Sequence, residues 1–302
     1  MFLYPDPKIP QCGVANNNRR RRQFEDFEVD KIVGGTEVQP NSIPWQARIH
    51  LKIPDSESLS CPWMDDGTIT CAGSVISPVH ILTAAWCVQY PTCTDISAGQ
   101  PDGFQDFGPE DVVVTLGDHS VFNTNEKYEK TLEVACISKH PAWSFFETYI
   151  TEKRVNIKNN AAILTLKEPL DLESPQSKIK PVCIITEDIE KNNILDSSQN
   201  TSLRVSGWGQ MVGGVNTLTS DTLLMAEVPY LGVDTGVCLN NVPPEFANQF
   251  FDESMMCTGN IASDSLTDEP GPFRKGACSG DYGGKYLLTT NTITNNNSPS
   301  QS

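Results

Sequence analysis

The segment Cys278-Ser279-Gly280-Asp281-Tyr282-Gly283-Gly284 has the glycine scaffold of a tight loop built to present a nucleophile. A tyrosine stands where the reactive hydroxyl belongs. Its phenol has a reference pKa of about 10 and needs a nearby base before it can attack anything. Tyr282 therefore reads as a plug in a site shaped for a smaller side chain. Metal chemistry is a poor competitor: the ten cysteines and four histidines form no Cys-x-x-Cys or His-x-x-x-His pair of the kind that holds zinc. The cysteines read instead as disulfides formed in an oxidising compartment. No cofactor or metal is expected.

Two further segments complete a pattern. Ile32-Val33-Gly34-Gly35 and Leu82-Thr83-Ala84-Ala85-Trp86-Cys87, read with the loop at 278–284, closely resemble the IVGG, TAAHC and GDSGG stretches of the trypsin/chymotrypsin family of serine endopeptidases. Asn159-Asn160-Ala161-Ala162-Ile163-Leu164-Thr165-Leu166 is similar to that family's NDIALLKL strand. Pro44-Trp45-Gln46, Leu116-Gly117, His140-Pro141, Pro181-Val182-Cys183, Gly207-Trp208-Gly209 and Met256-Cys257 continue the likeness, which runs from Ile32 to about Leu288.

The family's mechanism needs a serine oxygen, a histidine to take its proton and a carboxylate to stabilise the imidazolium. The resemblance puts Tyr282, Trp86 and Asn160 at those three positions. An indole N–H donates a hydrogen bond but offers no accessible lone pair, so it is no general base. Asn160 can orient a ring but cannot balance a cation. None of His50, His80, His119 or His140 falls at the base position, and each reads as a surface or core residue. Gly276 falls where trypsin-like members carry the aspartate of the specificity pocket, so a preference for basic residues is not implied.

The resemblance also implies pairings. Cys71 is expected to join Cys87, Cys238 to join Cys257, and Cys12 to join Cys183, the last tethering the N-terminal segment to the domain. Cys61, Cys93, Cys136 and Cys278 have no assigned partner. Cleavage between Lys31 and Ile32 would free an α-amino group to pair with Asp281, beside the nucleophile position. The run Arg19-Arg20-Arg21-Arg22 is either a processing site or a solvated linker. Asn200 and Asn296 each begin a glycosylation sequon.

The elements that must position these residues read as strands. β-Branched runs such as Val112-Val113-Val114-Thr115-Leu116 are broken by Gly, Pro and Asn clusters, and helical periodicity is scarce. The expected fold is all-β: two antiparallel barrels, about 32–180 and 181–288, the second truncated. A propeptide-like segment at 1–31 precedes them, and 289–302 is a polar tail. Met1-Phe2-Leu3-Tyr4-Pro5-Asp6 lacks the apolar core of a signal peptide, so an extracellular, secreted location is inferred from the cysteines alone. The net charge of −16 argues against nucleic acid or an anionic membrane as a partner. No apolar run is long enough to span a bilayer.

The functional expectation is a non-catalytic homologue that binds a protein, a protease or its substrate, as cofactor or decoy in an extracellular proteolytic cascade. The alternative is a serine endopeptidase misrepresented by an incomplete gene model. Two long loops, around 55–69 and 90–110, carry Asp55, Glu57, Asp65 and Asp66 in the first and Asp95, Asp102, Asp106, Glu110 and Asp111 in or beside the second. They form either a surface that steers a basic partner or a merely solvated acidic face.

Overall fold

The structure, a computed structural model, describes residues 12–13, 16, 35–53, 68–92, 103–123, 125–143, 159–184, 202–209, 220–230, 258 and 287–288. Twelve strands run through them: β1 (Thr36–Glu37), β2 (Gln46–Lys52), β3 (Thr68–Val75), β4 (His80–Thr83), β5 (Gln89–Thr92), β6 (Gly103–Asp106), β7 (Val112–Leu116), β8 (Lys130–Lys139), β9 (Ala162–Leu166), β10 (Ser202–Gly207), β11 (Leu224–Pro229) and β12 (Leu287–Leu288). The all-β expectation holds, and the run Val112–Leu116 is β7.

Six strands close an antiparallel barrel in the order β2-β3-β4-β9-β8-β7. Side chains alternate across a strand, and the sequence uses that period. Ala47, Ile49 and Leu51 of β2, Val112, Val114 and Leu116 of β7, and Ala162, Leu164 and Leu166 of β9 all turn inward and are buried. The interior is crowded where β3 passes: a Cβ on Gly73 would lie 2.9 Å from both Ile49 Cδ1 and Ile81 Cγ2. Closure leaves no strand edge to solvent within this sheet.

A second antiparallel sheet has the order β1-β11-β10-β12, and among the described residues it stays open. Together the barrel and the second sheet are consistent with the expected two-barrel architecture, the second sheet having four strands among the described residues. Leu203, Val205, Leu224, Ala226 and Val228 alternate along β10 and β11 to give this sheet its own small core. It docks on the barrel through specific bonds. Ser206 Oγ donates to Gln46 Oε1 at 2.7 Å, and Trp208 Nε1 donates to the His119 carbonyl at 3.1 Å.

Two segments cross the expected division near residue 180. The strand Thr36–Glu37 pairs with Met225 and Leu224 of the second sheet, while Ile179 and Val182 pack into the barrel core. Chain connectivity does not force a strand to pair with its sequence neighbours. β1 goes where β11 offers free backbone groups, and Val182 goes where its N–H reaches the Val75 carbonyl at 2.9 Å. The reading of 90–110 as a loop also changes. Gln89–Thr92 pairs with Gly103–Asp106 in a separate antiparallel hairpin.

Cys12 joins Cys183 and Cys71 joins Cys87. Gly13 N–H donates to the Pro181 carbonyl at 2.8 Å beside the first of these bonds. Cys136 is a free, exposed thiol on β8. Cys238, Cys257, Cys61, Cys93 and Cys278 lie outside the described residues, as do Asn200 and Asn296. No described helix is long and apolar enough to cross a membrane.

Candidate functional site

Trp86 and Asn160 are separated by 74 residues in sequence and meet at one end of the barrel. The register of β4 with β9 brings them together: Thr83 pairs with Ala162, so the chain leaving β4 and the chain entering β9 emerge side by side. The side chain of Thr83 fixes that end, donating from Oγ1 to the Ala72 carbonyl at 2.8 Å.

After Thr83 the backbone passes through extended Ala84 into a single 3-10 turn, Ala85–Val88. Ala85, Cys87 and Val88 are buried within it, and the disulfide from Cys87 to Cys71 ties the turn to β3. Three anchored neighbours leave Trp86 as the half-buried residue at the rim. On the other side, Asn159 adopts the left-handed conformation, with φ of 58°, which asparagine tolerates better than most residues. A tight turn follows, in which Ala161 N–H donates to the Asn159 carbonyl at 2.7 Å. This geometry aims the Asn160 side chain back at the 3-10 turn, and its Oδ1 accepts the Trp86 backbone N–H at 2.8 Å.

The chemistry of that contact is asymmetric. A backbone N–H demands an acceptor, so the carboxamide oxygen faces it and the amide nitrogen is left as a donor. The indole of Trp86 is a donor as well. The two N–H groups are both donors, while the Asn160 oxygen, which accepts the backbone N–H, has a second lone pair.

The indole meets the hairpin instead. Its ring lies 5.3 Å from that of Phe104 on β6, at an interplanar angle of 56°, within the range of favourable aromatic pairs. The hairpin is itself held to the barrel rim. Gln89 Nε2 donates to Asp106 Oδ1 and Trp143 Nε1 donates to Gln89 Oε1, both at 2.8 Å, while Lys139 pairs with Asp106. Tyr90 stacks on Phe107 at 4.8 Å. Phe104 and this network had no signature in the sequence, because two short polar strands separated by ten residues show neither apolar alternation nor a two-residue turn.

Of the acidic residues expected to steer a partner, Asp106 is thus already engaged. Glu110 and Asp111 lie on a second 3-10 turn, Pro109–Asp111. Asp55, Glu57, Asp65, Asp66, Asp95 and Asp102 fall outside the described residues. So do Tyr282, Asp281, Gly276, Lys31 and Ile32, which leaves Trp86 and Asn160 as the described half of the expected site.

His80, His140 and His119 make structural hydrogen bonds. His80 Nδ1 bonds Ser77 Oγ at 2.8 Å, and His140 Nδ1 accepts the Ala142 N–H at 3.2 Å. His119 is buried, with Nε2 3.0 Å from Glu37 Oε1. Close by, Arg48 pairs with buried Asp118, whose carboxyl burial pushes above its ordinary value of 3.8 although Arg48 pulls it down. Among the described residues no group of three His, Cys, Asp or Glu side chains could hold a metal ion.

A family model described as Trypsin matches residues 32–295. A venom serine protease, Bi-VSP, of Bombus ignitus is 26% identical over 287 residues, which are 94% of this chain and 62% of that protein. An ovochymase of Halocynthia roretzi is 29% identical over 274 residues, 89% of this chain and 14% of that protein. The chain thus spans less than two thirds of either relative's length.

Proposed function

The chain belongs to the trypsin family, and from that premise we propose that it is a non-catalytic member which acts by binding a protein in an extracellular proteolytic cascade. The observation that carries the reading is the pair at the barrel rim. By the family resemblance an indole stands at the general-base position and a neutral carboxamide at the carboxylate position, and the two are held together by the Trp86 N–H donating to Asn160 Oδ1. Neither group can take a proton from a nucleophile near neutral pH. Tyr282 at the nucleophile position is the third sequence feature on the same side. The two disulfides, Cys12–Cys183 and Cys71–Cys87, support an extracellular setting.

In this proposal the regulatory step outlives the chemistry. Cleavage after Lys31 frees the Ile32 amino group to pair with Asp281 and reshapes a binding surface rather than an active site. The Cys12–Cys183 bond keeps the N-terminal segment attached afterwards. The competing reading, an active serine endopeptidase, takes its support from the name of the Bombus ignitus relative.

Enzymology separates the two. The purified chain, cut after Lys31, is expected neither to hydrolyse peptide esters nor to react with a serine-directed fluorophosphonate. Stoichiometric labelling within this domain, or turnover that survives removal of contaminating proteases, overturns the proposal.

A further inference from the structure

A cavity of about 230 Å³ lies between the loop at 127–130 and the segment at 171–179, with Lys127, Tyr128, Lys130, Ser174, Ser177 and Lys178 in its wall. The ammonium groups of Lys127 and Lys178 both sit over the Tyr128 ring, 5.1 and 5.7 Å from its centroid. An aromatic face attracts a cation but leaves its charge uncancelled. Among the described residues, Lys127, Lys130 and Lys178 form no salt bridge with a carboxylate, in a chain whose net charge is −16.

The two carboxylates of the wall are engaged elsewhere. Glu129 Oε2 accepts the Glu126 N–H at 3.2 Å, and Asp171 Oδ1 accepts the N–H groups of Glu173 and Ser174 at 3.2 and 3.0 Å. Both carboxylates keep their charge, but among the described residues none of the three lysines pairs directly with either. Like charges held together in this way lower the cost of bringing in an anion.

The loop is preorganised. Glu126 accepts the backbone N–H groups of His119 and Ser120 at 2.7 and 3.2 Å. Gly117, at a φ of 72°, passes so close to Tyr128 that a Cβ would come within 2.3 Å of the Tyr128 carbonyl oxygen. Little ordering cost therefore remains at binding.

We propose that this cavity binds a sulfate ester carried on a short saccharide. Charge selects the anion: three ammonium groups against two carboxylates leave a surplus of one positive charge, which suits a sulfate monoester better than a phosphate monoester of charge about −1.5 to −2. The ammonium groups of Lys127 and Lys178, brought together over the Tyr128 ring, can each donate to a sulfate oxygen, and Lys130 lies in the same wall. The carrier follows from the rest of the wall, where Ser174, Gln176 and Ser177 offer hydroxyl and amide partners and Ile179 is the one aliphatic residue. A hydroxyl-rich ligand satisfies such a wall, whereas a peptide anchor would need an apolar pocket. The overall negative charge repels a long polyanion at a distance and so favours a short one. The site involves none of residues 86, 160 and 282, so it stands or falls independently of the loss of catalysis.

Titration calorimetry of the full chain with N-acetylglucosamine 6-sulfate at low ionic strength tests the site. Saturable binding is expected, with no heat from unsulfated N-acetylglucosamine. Lys127→Ala with Lys178→Ala should weaken the affinity about tenfold or more, since charge-assisted bonds are lost, and both lysines are accessible enough for the melting temperature to serve as a folding control. Tyr128→Leu should also weaken binding, because the ring positions two of the ammonium groups. Sodium sulfate binding as tightly as the sugar at matched ionic strength would mean a free-anion site and overturn the saccharide assignment. A sulfotyrosine peptide binding more tightly than the sugar would replace it with a protein ligand. Absence of saturable binding, or an unchanged affinity in the lysine variant, overturns the site itself.

Discussion

The closed barrel and the four-stranded sheet share a period-2 alternation and an antiparallel plan, yet among the described residues they differ in how many strands surround each buried side chain. Among the described residues, twenty-six buried residues form one continuous cluster through the barrel, and five line the cluster of β10 and β11. A closed sheet places every strand between two others, so each inward side chain is surrounded by neighbours from several strands. Among the described residues the second sheet ends at β12, where Leu287 and Leu288 pair with β10. The rim that carries Trp86 and Asn160 is built on the well-supported region. Placement of the Trp86 N–H against Asn160 follows from that support together with the local turns at Asn159 and Ala85–Val88.

Core truncation should show the contrast most strongly. Ile81 is fully buried in the barrel, and Ile81→Ala is expected to cost about 4 kcal/mol, towards the upper part of the range for such cavities. Leu203, 2% exposed in the cluster of β10 and β11, should cost about 2–3 kcal/mol as Leu203→Ala, in the lower part of the range for such cavities. Urea denaturation followed by fluorescence measures both. Equal losses would mean that the two regions unfold as one unit with a common core.

Between these two lies the ion pair beneath the junction of the regions. Arg48→Ala leaves the Asp118 carboxylate, whose side chain is 1% exposed, without its cation, at a cost of about 3 kcal/mol near neutral pH. The pH dependence has a definite sign. Burial raises the Asp118 carboxyl above 3.8 in the folded protein, beyond what Arg48 offsets, so the folded state binds that proton more tightly than the unfolded chain. Its contribution to stability is fully present below pH 3.8 and is lost as pH rises through the elevated folded value. The loss caused by Arg48→Ala should therefore shrink as pH is lowered towards the carboxyl range, because protonation neutralises Asp118. A loss that grows on acidification would contradict the assignment.

Smaller effects sharpen the picture at the rim. Asn160→Ala removes the acceptor of the Trp86 N–H and should cost about 1 kcal/mol, or somewhat more if no water replaces it. Amide hydrogen exchange at Trp86 should quicken while the barrel interior stays protected. At the lower limit stands Lys167 with Glu133, a bond of 2.8 Å between exposed side chains. Lys167 holds the Glu133 carboxyl below its ordinary value, yet solvent and salt screen such a pair. Lys167→Ala should leave the melting temperature unchanged at physiological ionic strength, and a measurable drop would show that the pair belongs to a larger network.

Reading the residues alone went furthest where backbone geometry and side-chain type coincide. Val112–Leu116 could only be a buried strand, because β-branched side chains at that density suit a pleat and crowd a helix. Tyr282, Trp86 and Asn160 are legible in the same way, since each differs in type from the serine, histidine and carboxylate that the family resemblance places there. The tertiary structure decided which distant groups share a surface. The hairpin of β5 and β6 that brings Phe104 onto Trp86, the crossing of Thr36–Glu37 to the second sheet, and the gathering of Lys127, Lys130 and Lys178 around Tyr128 all depend on long-range pairing. Local sequence limits what each residue can do through its own bonds and lone pairs. Closure of the barrel then determines its neighbours, and no short-range pattern encodes that, because register is chosen by the summed burial of many strands at once.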